Sequence, residues 1–247
     1  MDNSIFSIEG KKVLVTGASS GIGRAIAVEC SKCGATVYLS ARNEARLQET
    51  LSMMQPGSHQ IVTADLTSME EIDHLVETVD KLDGVVLNSG INDKAIVKQI
   101  DETFVSKMLQ TNFSGQALLI KSLLKKKKVN KFASVIFMSS VSAFYPSVSN
   151  AMYAASKAAI NQFAKVLALE VLSLKARVNC IQPAFVNTEM IKKYPPEVLE
   201  DIRKNYPLGR FAEPEEIAYS VIYFLSDASQ LVTGNNFIFD GGYTLRS

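Results

Sequence analysis

The sequence predicts a doubly wound α/β fold, a parallel sheet of about seven strands with helices on both faces. Two observations predict it. Short β-branched runs alternate with helical patterns along the chain. Those runs are apolar throughout, as expected of parallel strands covered on both faces. A third observation sets the domain count. No Pro- or Gly-rich linker and no fixed-period repeat interrupts the series, so residues 1–247 read as one domain.

Taken in order, KVLVT at Lys12–Thr16 reads as a buried strand. Residues 22–33 read as a helix stopped by Gly34, a residue suited to a left-handed helix end. Residues 36–40 are the second strand, and a charged helix follows from Asn43. Gln60–Thr63 and residues 84–87 are the third and fourth strands. A long helical region follows Asp101 and ends in a lysine run. Residues 134–138 form the fifth strand, 151–174 a long helix and 177–181 the sixth strand. Pro214 opens another helix after Glu213, and Asn236–Phe239 is the last strand.

Composition narrows the function classes. Hydrophobic residues make up 47% of the chain, enough for a sizeable core, and 26 basic against 25 acidic residues leave a net charge of +1. That balance argues against a nucleic-acid or anionic-membrane binder and against a disordered chain. No stretch is apolar enough to cross a bilayer, which takes about 20 residues. MDNSIFSIEGKK has neither the basic nor the apolar region of a secretory signal, so a cytoplasmic protein is expected. Cys30 and Cys33 form a lone CxxC late in a helix, and His59 and His74 lack ligand spacing to a cysteine. Ordinary helix positions account for the pair, and no metal site is expected.

In such sheets ligands bind beyond the carboxyl ends of the strands. The first strand runs into Thr16-Gly17-Ala18-Ser19-Ser20-Gly21-Ile22-Gly23, where a helix starts. Glycines let the backbone turn tightly and approach a pyrophosphate, the helix N-terminus offers free N–H groups, and Ser19 and Ser20 add hydroxyls. After the second strand, an acid would bind the ribose of NAD. Here Ser40-Ala41-Arg42 stands instead, and a guanidinium suits a 2′-phosphate, so NADP(H) is favoured over NAD(H). Asp65, by itself, also reads as a helix cap, since Thr67, Ser68 and Glu70 follow.

Tyr153-Ala154-Ala155-Ser156-Lys157 puts a tyrosine and a lysine one turn apart on one helix face. A neighbouring ammonium lowers a phenol pKa toward the range useful for proton transfer. Ser140 follows the fifth strand and so sits at the ligand end of the sheet. Strand alternation turns Ser139 the other way, and Ser142 is a weaker third candidate.

The glycine spacing, Ser140, Tyr153 and Lys157 together resemble the single-domain short-chain dehydrogenase/reductase family, with a Rossmann-like fold. Further matches run to the end of the chain: Asp65-Leu66, Asn88-Ser89-Gly90, Asn112, Pro183-Ala184-Phe185-Val186-Asn187-Thr188, and the closing Asp240-Gly241-Gly242. The resemblance implies catalysis by Ser140, Tyr153 and Lys157, with Asn112 holding a proton-relay water. Read without the resemblance, Asn112 is a satisfied polar residue in a helix. The resemblance implies cofactor contacts from the glycine loop, Asp65, Leu66, Asn88, Ser89, Gly90, Tyr153, Lys157, Pro183, Val186 and Thr188, with Ser40 and Arg42 at the adenosine end. It implies reversible ketone–alcohol interconversion by hydride transfer and a homotetramer or homodimer. The pattern is most similar to 3-oxoacyl-[acyl-carrier-protein] reductases, which would make the substrate a carrier-bound thioester, and residues 188–213 would cover it. A sugar, polyol or hydroxysteroid dehydrogenase is the alternative, and a non-catalytic dinucleotide-binding regulator is the rival of another class. Residues 125–128, with Lys121 and Lys131, read as a solvated helix end or as a dock for an acidic acyl carrier protein.

Overall fold

A computed structural model describes residues 3–245, so the first two residues of the N-terminal stretch read above lie outside it. Seven parallel strands form one sheet in the order β3-β2-β1-β4-β5-β6-β7. They are β1 (Lys12–Thr16), β2 (Thr36–Ala41), β3 (Gln60–Thr63), β4 (Leu82–Leu87), β5 (Val129–Met138), β6 (Arg177–Pro183) and β7 (Asn236–Phe239). The order reverses between β1 and β4, and the connections leaving them diverge there, opening a crevice at the carboxyl edge.

Strand alternation divides the core. Leu14 of β1 packs on one face with Val85, Phe137 and Ile160, while Val13 and Val15 pack on the other with Ile26, Leu47 and Val221. The first face is covered by α3 (Met69–Thr78), α5 (Gly115–Lys125) and α6 (Ala151–Glu170). The second is covered by α1 (Gly21–Lys32), α2 (Glu44–Ser52) and α8 (Pro214–Leu225). Each fully buried Leu or Val contributes roughly 1.5–3 kcal/mol to this assembly.

The expected strands are all present. The long helical region after Asp101 is present without a gap over 102–125, and its middle turn is π-helical. It consists of α4 (Glu102–Leu109), a π-helical turn at Gln110–Ser114, and α5. The helix expected over 151–174 ends at Glu170, and Leu172–Leu174 continues as a 3-10 turn closed by Lys175 in the left-handed region. β5 begins five residues earlier than expected, at Val129, with a register shift opposite Leu82 and Gly84 and a left-handed Phe132. Asp65 is not the α3 cap. Ser68 is, its Oγ accepting from the Glu71 N–H, while Asp65 closes a turn by accepting from the N–H and hydroxyl of Thr67.

A 3-10 turn at Ile191–Lys193 and an α-helix, α7 (Pro196–Lys204), lie inside the expected substrate-covering segment. The signals of α7 are local: Pro at the first helical position, Glu197 in the first turn, Arg203 and Lys204 in the last. The whole excursion is closed at its base by a bridge between Val186 and Ala212.

Candidate active site

The crevice is a cleft of about 520 Å³ whose walls come from the loops after β1 to β6. Its first part is made of backbone. Gly17 and Gly21 both have positive φ, which lets the chain turn directly from β1 into α1. A Cβ on Gly23 would lie 2.2 Å from the Gly17 carbonyl oxygen, so α1 seats against the turn only because residue 23 has no side chain. Ser20 begins α1 without a side-chain cap, leaving its N–H groups to face the cleft. Asn88 pins the turn from β4, its Nδ2 donating to the Thr16 and Gly17 carbonyls at 3.2 and 3.4 Å. This uncapped, close-packed cradle fits the pyrophosphate of a dinucleotide.

Ser19, Ser20, Gly21, Ile22, Arg42, Asp65, Leu66, Asn88, Ser89, Gly90, Pro183, Val186 and Thr188 all line the cleft, as does Gly17. Two expected cofactor residues do not. Ser40 is buried in β2 and meets the loop only through its carbonyl, which accepts from the Ala18 N–H. Strand alternation turns its side chain into the protein. Gly23 lies behind the cradle rather than in its wall. Arg42 is largely exposed, 3.8 Å from the Asp65 carboxylate, and Arg46 joins it one helical turn on. Arg46 and Ile91 were not legible as site residues, because only the packing of distant loops brings them to the wall.

At the other end, α6 and the end of β5 converge. The Ser140 Oγ accepts from the Ser142 N–H at 3.1 Å, donates toward the Pro183 carbonyl at 3.4 Å and hydrogen-bonds the Tyr153 phenol. Ser139 Oγ donates instead to the Lys157 carbonyl at 3.2 Å, and Ser142 Oγ accepts from Asn150 Nδ2. Of the three, Ser140 is the serine that hydrogen-bonds the Tyr153 phenol.

Lys157 differs from expectation. Its Nζ donates to the Met138 carbonyl at 2.7 Å and sits 5.7 Å from the Tyr153 ring centroid. Burial pushes the Lys157 pKa down to about 8. Burial also pushes the Tyr153 phenol up, to about 12, opposed by the Ser140 hydrogen bond. The expected lowering of the phenol by Lys157 is therefore corrected: desolvation by burial is the largest cause of the shift in both groups.

Asn112 is fully buried in the π turn. Its Oδ1 accepts from the Ile91 N–H at 2.8 Å, and its Nδ2 donates to the Ile91 carbonyl and to Ser156 Oγ at 2.9 and 3.0 Å. Its side chain therefore ties the post-β4 loop to α6, and it does not line the cleft. The satisfied polar reading describes its side chain.

Beside the cleft, an aromatic cluster ties the segment after β6 to the C-terminal turn. Phe185 stacks on Phe211 at 5.5 Å and meets Tyr194 edge-on at 5.7 Å, and Tyr206 stacks on Tyr243 at 4.7 Å. Tyr206 Oη accepts from the Phe185 N–H at 2.9 Å, locking the excursion to the end of β6. The lysine run lies elsewhere. It occupies the end of α5 and the start of β5, at the opposite edge of the sheet, about 30 Å from Ser140 along the strand. Lys128 Nζ donates to the Glu77 and Val79 carbonyls at the end of α3, and Lys126 pairs with Glu77. The helix-end reading describes it, and a carrier docked there would face away from this cleft. The CxxC is split between the core and the surface, with Cys30 buried, Cys33 exposed and both thiols free.

Comparison with known proteins agrees with this geometry. The family model described as enoyl-(acyl carrier protein) reductase matches residues 17–244. The 3-oxoacyl-[acyl-carrier-protein] reductase of Rickettsia conorii is 33% identical over 96% of this chain and 98% of its own. The NAD-dependent glycerol dehydrogenase of Listeria innocua is 32% identical over 98% of this chain and 96% of its own. Among solved structures, a short-chain dehydrogenase family protein from Francisella tularensis superposes with a TM-score of 0.85 at 32% identity, covering 96% of this chain and 100% of that one. A dehydrogenase/reductase from Sinorhizobium meliloti gives 0.91 at 28% identity, covering 97% of each chain. Fold and site therefore define an oxidoreductase that uses a nicotinamide dinucleotide to interconvert CH–OH and C=O groups. The chain belongs to the short-chain dehydrogenase/reductase family.

Proposed function

We propose that the chain is an NADP(H)-dependent reductase of 3-oxoacyl thioesters, with Ser140, Tyr153 and Lys157 as its catalytic residues. The observation that carries the reading is the Ser140–Tyr153 hydrogen bond at the substrate end of a cleft whose other end holds Arg42. The thioester is favoured by relatives named for that activity, including the Rickettsia enzyme. Arg42 at the end of β2 and Arg46 in α2, with no acid at position 41, favour a 2′-phosphate.

The cradle, Arg42, Asp65, Lys157 and Thr188 would hold the cofactor, which supplies the hydride when bound. Ser140 donates a hydrogen bond to the substrate carbonyl oxygen. Tyr153, a protonated phenol at neutral pH with its pKa near 12, gives its proton to that oxygen as negative charge develops. Lys157, protonated below about pH 8, stabilises the phenolate left behind. Asn112 acts as a positioning residue, fixing the loop against α6. We further read the protein as cytoplasmic and as a homotetramer or homodimer. Leu169 on α6 and Leu172 beyond it are exposed apolar residues that fit such contacts.

The test compares NADPH and NADH oxidation with acetoacetyl-CoA, using the native chain and Tyr153→Phe. Turnover with NADPH is expected, falling about 1,000-fold in the variant while NADPH still binds. NADPH binding with no turnover of this thioester would move the substrate to sugars, polyols or hydroxysteroids, as the glycerol dehydrogenase relative allows. Absence of turnover on any of these would leave a dinucleotide-binding regulator.

A further inference from the structure

The mouth of the cleft carries a cation with no role in the reading above. Residues 91–95 follow the Asn88-Ser89-Gly90 stretch and form one rim. This loop is fixed at both ends. Ile91 exchanges two hydrogen bonds with Asn112, and the Ala95 N–H donates to the Ser149 carbonyl at 3.0 Å. Asp93 is neutralised by Lys107 at 2.8 Å. Lys94, next to it, has no carboxylate partner among the described residues.

Lys94 Nζ instead lies 4.3 Å from the centre of the Tyr194 ring. Tyr194 belongs to the opposite rim, just after the cleft-lining Met190 and Ile191. Its ring packs on Phe185, and its hydroxyl is close enough to Tyr153 to perturb the phenol there. The Lys94–Tyr194 contact therefore joins the segment after Ile91 to the segment after Ile191, and both of those residues line the cleft. On the same rim Lys192 is paired with Glu189, while Lys193 has no ion-pair partner among the described residues.

An ammonium over an aromatic face keeps its N–H donors for another ligand, because the ring offers no lone pair directed at them. An arriving carboxylate or phosphate makes a stronger, charge-assisted bond than the ring does, and the ring stays as a guide for the stem. We infer that Lys94, held over Tyr194, receives the anionic group of the substrate, so that this chain takes carbonyl compounds bearing a carboxylate or a phosphate. The proposal rests on the carbonyl-reductase reading and names its substrate class. The anion has two sources, the phosphate of a pantetheine arm or the carboxylate of a small keto acid.

A binding experiment decides it without turnover. Calorimetry would titrate the NADP⁺-saturated protein with 4′-phosphopantetheine and, separately, with acetoacetate. The variants are Lys94→Gln and Lys98→Gln, the second removing an exposed lysine from the neighbouring turn. One probe is expected to bind the native protein, to lose about tenfold or more in affinity in Lys94→Gln, and to change less than about twofold in Lys98→Gln. Whichever probe responds identifies the source. If neither probe binds, or Lys94→Gln has no effect, or both variants lose equally, the proposal is overturned. Turnover gives a second readout. KM for acetoacetyl-CoA or acetoacetate rises in Lys94→Gln at constant kcat, whereas the neutral acetoacetyl-N-acetylcysteamine thioester is unaffected. Should none of these ketones react with the native protein, the thioester reading fails, and the calorimetry still judges Lys94.

Discussion

The two halves of the cleft are built by different means. The cofactor half is backbone: a turn with positive φ at Gly17 and Gly21, an uncapped helix start, and Asn88 bonded to two carbonyls of the turn. The substrate half is side chains: Ser140, Tyr153, Met190 and Ile191 line it, and Tyr194, Tyr206, Phe211 and Tyr243 cluster around Phe185 beside it, with Lys94 over Tyr194. The first must meet the same pyrophosphate whatever the reaction, and N–H groups on a fixed turn suffice. The second must fit one substrate, and side chains on a long excursion can be exchanged without disturbing the sheet.

Three substitutions test that division. Gly23→Val should have the largest effect, because even its Cβ would strike the Gly17 carbonyl. The start of α1 must then shift, and NADPH affinity should fall about 100-fold through the loss of two N–H bonds to charged oxygens. Fluorescence titration measures it, and an unchanged affinity would break the argument that the cradle is backbone.

Lys157→Met comes next and sits at the junction of the halves. The folded Lys157 pKa of about 8 lies below the ordinary 10.5. The unfolded chain therefore binds more protons between those values, and stability rises with pH across that window. At pH 7 the buried ammonium costs on the order of 3 kcal/mol, partly offset by its bond to Met138. The variant should be inactive yet more stable by about 2 kcal/mol at pH 7, with the gain shrinking toward pH 10.5. Thermal melts across pH read it directly. A variant that melts lower at pH 7 would show that the lysine holds the site together rather than straining it.

Tyr206→Phe is the smallest change and lies in the aromatic cluster beside the substrate half, away from the cradle. It removes the acceptor of the Phe185 N–H and should cost about 1 kcal/mol, read by denaturant unfolding. KM for substrate should rise severalfold with NADPH affinity unchanged. An equal loss in both would mean that the halves are mechanically coupled.

The same division explains what was legible in advance. The glycine turn, Tyr153, Lys157 and the seven strands are local patterns, and each was found where the pattern placed it. Ser40 lies behind the cleft wall while Arg42, two positions on, lines it, because strand alternation turns Ser40 inward. The lysine run looked like a docking surface because charge density in sequence carries no information about which edge of the sheet it occupies. Arg46 and Ile91 had no signal of their own, since each reaches the cleft by the packing of a different loop, and the same packing brings Tyr194 to Lys94.

The sequence by itself determined the alternation of strands and helices, the phosphate cradle, and the Tyr153–Lys157 spacing, because these depend on backbone geometry and on residues within one or two turns of each other. Only the tertiary structure placed Ser140 in hydrogen-bond contact with the Tyr153 phenol, inverted the expected phenol shift, and engaged the side chain of Asn112 in a π turn. It alone set Lys94 over Tyr194. Those outcomes depend on burial and on contacts between segments up to a hundred residues apart, and desolvation energies arise only when such segments close around a group.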